Sequence, residues 1–180
     1  MNYCARLHEI VHCGRRFKFS FNENDIGSVR NGVYLFFEKG ESGHGGDRIV
    51  RIGYNREQGN LFATIKRHII GIINTSIFRE HIGNCQAGNY FNEDRISGRV
   101  RGHFTFVIIK ADDKKYRGEL RKRLIATVAQ CPDCKPSNNW LGKNSHDDRI
   151  KAYGLWQVQC LSGPEIDDYD LDYIRKYLIR

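Results

Sequence analysis

Proline is scarce in this chain, with three residues in 180, and methionine occurs once. With no low-complexity tract either, a disordered tail is not expected. No run of about 18 apolar residues occurs, which excludes a membrane-spanning helix. The opening stretch Met1 to His8 lacks the apolar core of a signal peptide, so the expected compartment is cytoplasmic. There the six cysteines are expected as reduced thiols, not as a disulfide framework. Acidic residues are outnumbered: 21 Asp plus Glu face 29 Lys plus Arg, a formal charge of +8. That balance suits a polyanionic partner, because each phosphate contacted releases condensed counterion. No repeat or linker interrupts the chain, and its length fits one domain over 1–180 with one sizeable core.

Aromatic and β-branched residues mark strands near 33–38 and 48–54. The glycine-rich stretch between them, Gly40 to Asp47, reads as a long hairpin loop; it lacks the strand–helix setting of a phosphate-binding loop. Arg16 to Phe21 alternates like a short strand. Asn60 is placed to cap a helix from Leu61, with Phe62, Ile65, Ile69 and Ile72 on one face. Ser76 to Ile82 reads as a second short helix, and Phe104 to Ile109 as a buried strand. A helix over about 115–130 presents Leu120, Leu124, Ile125 and Val128. Leu155 to Leu161 alternates as a strand, and Pro164 to Ile179 reads as a helix with an acidic start and a basic end.

Cys131-Pro-Asp-Cys134 is a lone Cys-x-x-Cys. Structural zinc needs two further ligands, and Cys4, His8, Cys13, Cys85, His103 and Cys160 are candidates with no second paired spacing. Arg15-Arg16 and Arg121-Lys122-Arg123 are basic clusters that suit phosphate contacts or a solvated face.

Gly32-Val33-Tyr34 and Arg51-Ile52-Gly53, on consecutive strands before a helix carrying His68, resemble the two halves of the GIY-YIG nuclease signature. The resemblance covers roughly 31–140. It implies an α+β fold, a small antiparallel central sheet flanked by helices. It also implies a DNA endonuclease that hydrolyses phosphodiester bonds with Mg2+ or Mn2+. Residue by residue, Tyr34 corresponds to the first tyrosine, which orients or deprotonates water; with a free phenol pKa near 10 it would need nearby cations. Arg51 stands in place of the second tyrosine, and Tyr54 falls on the opposite face of that strand. His68 corresponds to the helix histidine, but Thr64 occupies the position of the family's arginine, with Arg67 close by. Glu119, the one acid in the 115–130 helix, is the candidate metal ligand, and Asn139 corresponds to the terminal asparagine. Arg51 is expected to supply the charge absent at Thr64, with its guanidinium beside Tyr34, His68 and Glu119. The stretches Asn139 to Asn144 and Gly154 to Val158 resemble a tail of bacterial variants of the family. The departures at Thr64 and Arg51 leave open a catalytically impaired, nuclease-like DNA-binding protein. The Cys-x-x-Cys leaves open a zinc-stabilised interaction module.

Overall fold

The computed structural model describes residues 2–86 and 92–180. Helix α1 (Tyr3–His12) starts where the Asn2 side chain accepts the Ala5 N–H, and it buries Cys4, Leu7, His8 and Val11 at spacings of three and four. Its polar composition hid it from the sequence reading. Strands β1 (Phe17–Lys18), β2 (Gly32–Gly43), β3 (Gly46–Tyr54) and β4 (Phe104–Lys110) form one antiparallel sheet in the order β1-β4-β2-β3. The fold is α+β, as expected. The expected long loop at Gly40 to Asp47 is instead strand closed by a tight turn: Gly43 pairs with Gly46, and His44 and Gly45 carry φ of 51° and 79°. Two consecutive residues at positive φ match the turn that suits the right-handed twist of a hairpin.

The helices are α2 (Leu61–Ile70), α3 (Ile77–Asn84), α4 (Glu93–His103), α5 (Lys114–Gln130), α6 (Asp148–Tyr153) and α7 (Asp168–Tyr177). Asn60 makes no side-chain cap, and α2 buries Leu61, Ile65, His68 and Ile69; Ile72 lies beyond the helix and is exposed. Ser76 caps α3 by accepting the Arg79 N–H. Asp167 caps α7 in a reciprocal capping box with Asp170.

The sheet separates two buried clusters. On one face Val33, Leu35, Ile49 and Ile52 pack against α1, α5 and α7. On the other, Tyr34, Phe36, Val50 and Phe106 pack against α2, α3, α4 and the two tryptophans. Leu155 to Leu161 is not a strand. It wraps the edge of β3, with the Trp156 N–H donated to the Val50 carbonyl and the Ile52 N–H donated to Gln157 Oε1. Its alternation survives in another form: Leu155 joins one cluster and Trp156 the other.

Candidate active site

The pairing of β2 with β3 sets the site. Tyr34 stands opposite Gly53, and Phe36 opposite Arg51, all on the face covered by α2. Side chains directly opposite on a sheet share a face. A Cβ on Gly53 would come within 2.3 Å of the Tyr34 ring, so the glycine of the second half-signature exists to let that ring lie across it. The register shifts between Phe36 and Phe37, where β3 carries an extra residue, and this bulge re-aims its edge at Arg51.

Beneath α2, the Tyr34 hydroxyl and His68 Nε2 share a hydrogen bond of 2.8 Å, and His68 Nδ1 meets Ser76 Oγ at 2.8 Å. The imidazole is thus held at both nitrogens. Burial keeps His68 well below its usual pKa, and Arg51, Arg67 and Arg79 push the same way, so it is neutral at pH 7. Burial raises the Tyr34 phenol, outweighing the opposite pull of Arg51, Arg121 and Arg67. The cations around Tyr34 therefore do not offset its burial, and the phenol stays protonated at pH 7 beside a neutral His68.

His68 opens onto a cleft of about 280 Å³ whose lining includes Arg51, Tyr54, Glu57, Thr64 and Arg67. Arg51 donates to the Trp156 carbonyl, its guanidinium lies 5.0 Å from the Phe78 ring centre, and its buried Nε has no partner among the described residues. Burial lowers its pKa to about 10 against the favourable charge of Tyr34, which leaves it cationic at neutral pH. Arg67 reaches the cleft with its guanidinium 3.3 Å from Thr64 Oγ1. From α5, Arg121 stacks 5.3 Å from the Tyr54 ring centre and its charge is felt at Tyr34 and Arg51. A cluster of like charges around a buried, half-satisfied guanidinium is a site for an anion.

One of the expected placements differs. Glu119 does not join Tyr34, His68 and Arg51: α5 covers the opposite face of the sheet, and Glu119 points to solvent, ion-paired with Lys122 at 2.8 Å. Asn139 is exposed in a turn between Ser137, which binds Glu41, and Trp140, which binds Glu38. The basic clusters are mostly engaged: Arg123 pairs with buried Asp170, Lys122 with Glu119 and Arg16 with Asp47, while Arg121 stacks on Tyr54. Sequence reasoning missed Ser76 and Glu57. The first had a signal, its helix-capping position, which brings its hydroxyl to His68.

The GIY-YIG domain family model matches residues 85–180, more than half of the chain. The chain belongs to the GIY-YIG family. The match takes in β4, α5 and both tryptophan segments, and overlaps the 31–140 resemblance over 85–140. Membership implies a nuclease-type function. No curated protein and no solved structure matches the chain. Among the described residues, no helix is long and apolar enough to cross a membrane.

The buried imidazole makes stability pH-dependent. An unfolded histidine binds its proton near pH 6.5, whereas folded His68 resists it to lower pH. The unfolded state therefore gains protons first, and stability should fall as pH drops below about 6.5. His81, also held low by burial, adds to the slope. Thermal melts of wild type and His68→Gln between about pH 5 and 7 should show a shallower decline in the variant. Parallel curves would mean that His68 takes up its proton in the fold.

Proposed function

We propose that this GIY-YIG protein hydrolyses phosphodiester bonds in DNA, acting as one domain with its core at 31–140. The backbone phosphate would lie in the arginine-lined cleft. The observation that carries this reading is the neutral His68, clamped between Tyr34 and Ser76 at 2.8 Å on each side, opening onto a cleft that Arg51 and Arg67 line.

The residues fit a divalent cation in a limited way. Mg2+ and Mn2+ prefer oxygen ligands, commonly one or two carboxylates together with substrate phosphate. Among the described residues lining the cleft, Glu57 is the one carboxylate, and it would hold the ion jointly with the phosphate. Bound there, the ion would polarise the phosphoryl group and stabilise the leaving oxygen. The remaining work falls to the chain itself. Arg51 and Arg67 hold the phosphate and offset charge that builds in the transition state. In the tautomer whose Nδ1–H donates to Ser76, His68 Nε2 takes the Tyr34 hydroxyl proton as that oxygen accepts one from the attacking water, and Ser76 fixes the ring plane.

A second reading is favoured by Arg121. The α5 residue stacked on Tyr54 of the cleft wall is a guanidinium, not a carboxylate, and Thr64 stands at the family's arginine position. Such a cleft binds a phosphate without cutting it. A supercoiled-plasmid assay with Mg2+ or Mn2+ separates the two. Cleavage is expected from wild type and Glu119→Ala and is expected to disappear in Glu57→Gln. An intact plasmid, with binding whose log–log salt slope is about −0.9 per phosphate neutralised, would establish the binding-only reading. Absence of binding at low salt would refute both.

A further inference from the structure

Far from the cleft, four side chains converge that no nuclease step uses. Cys4 from α1, His44 from the β2–β3 turn, and Cys131 and Cys134 from the segment after α5 place their ligand atoms within 4.8 Å of one another. Cys4 Sγ lies 3.5 Å from Cys134 Sγ, and His44 Nε2 lies 3.3 Å from Cys131 Sγ. The three cysteines are at most 5% exposed. We propose that these four residues form a closed, structural Zn2+ site that ties together α1, the hairpin tip and the end of α5.

Size and donor chemistry both single out one zinc ion. Zn–S bonds of about 2.3 Å and Zn–N bonds of about 2.05 Å give tetrahedral edges of roughly 3.8 Å between sulfurs and 3.6 Å between sulfur and nitrogen. The two short separations lie within a few tenths of an ångström of these edges, and the others, all within 4.8 Å, need to close by at most about an ångström. Three thiols and one imidazole are a standard structural zinc set. The spacing is far from a linear finger, because the fold brings the ligands from positions 4, 44, 131 and 134, and this is why the lone Cys-x-x-Cys gave no second pair.

The hairpin turn, which itself takes positive φ at His44, carries the His44 ring to Cys131. Gly43 next to it allows the close approach: a Cβ there would stand 3.3 Å from Cys134 Sγ. His8, named from sequence as a candidate ligand, is spoken for. Its Nε2 accepts the Ile49 N–H at 3.3 Å and its Nδ1 meets the Cys4 carbonyl at 2.9 Å, so it packs beside the site as a positioning residue. The other candidates lie elsewhere: Cys13 is exposed, Cys85 sits in the opposite core, His103 ends α4, and Cys160 contacts Arg121.

The site is tested on the full chain, purified without a polyhistidine tag. Elemental analysis should find about one zinc per chain. Wild type refolded with Co2+ should show the strong visible bands of a tetrahedral ion together with thiolate-to-cobalt charge transfer. Cys134→Ser should abolish both, Cys13→Ser should keep both, and His44→Ala should release zinc to a competing chelator at least about tenfold faster. Metal-free protein that melts cooperatively, iron in place of zinc, or a mass two hydrogens short from a Cys4–Cys134 disulfide would each overturn the proposal. The wild-type measurements decide the matter even if a variant fails to fold, and none depends on nuclease activity.

Discussion

Glu38→Ala is expected to destabilise the protein by about 3–5 kcal/mol, the range for breaking a buried charge network. Glu38, at the sheet centre on β2, is 2% exposed. Its Oε2 accepts both indole N–H groups, from Trp140 at 2.9 Å and Trp156 at 2.8 Å, and its Oε1 accepts Arg99 at 2.7 Å. Removing the carboxylate strands two buried donors and a partly buried cation, each orphan costing roughly 1–3 kcal/mol. For a chain of this size the melting temperature should fall by roughly 6–20 °C. Glu38→Gln keeps an acceptor oxygen for the indoles and should cost less. Circular dichroism melts with tryptophan fluorescence as a second probe test this. A Glu38→Ala melt within about 2 °C of wild type would show that the tryptophans are held by packing alone. The consequence reaches the cleft, because the Trp156 carbonyl is the acceptor for Arg51. One carboxylate thus links the tail to the positioning of a site cation.

The half-signatures were legible because they are local. The spacing of Gly32-Val33-Tyr34 and Arg51-Ile52-Gly53 on adjacent strands is enough to place Tyr34, Gly53 and Arg51 on one face once the strands pair. The helix face of His68 was equally legible. What failed depended on long-range geometry. Glu119 was chosen as the one acid on α5, yet α5 packs on the sheet face opposite Tyr34, which helix periodicity alone does not tell. The α5 residue stacked on Tyr54 is Arg121. The hairpin turn was misread because glycine-rich composition looks the same in a loose loop and in a tight turn that needs positive φ at His44 and Gly45. The role of the two tryptophans was invisible, since nothing local connects Glu38 to residues 102 and 118 positions away.

If the cleft cuts DNA, Arg51→Ala should lower the cleavage rate by about 10²–10³-fold while changing DNA affinity little. The reason is its surroundings. The charge of Arg51 is felt at Tyr34 and His68, and Arg51 binds the protein through the Trp156 carbonyl and has a buried Nε without a partner among the described residues. A preorganised donor of this kind acts most strongly where charge develops in the transition state. Arg51→Lys should recover little, because an ammonium cannot reproduce the planar fork that meets both a carbonyl and a phosphate. Thr64 lines the same cleft one helical turn before His68, and Arg67 already leans on its hydroxyl. Introducing Thr64→Arg into the Arg51→Ala background should therefore return part of the lost rate. Single-turnover cleavage measures the chemical step, and anisotropy on the same duplex measures affinity. Equal losses in rate and affinity, with no rescue by Thr64→Arg, would make Arg51 a binding residue only. In a protein that binds without cutting, Arg51→Ala should instead make the salt slope shallower by about 0.9, the signature of one lost phosphate contact.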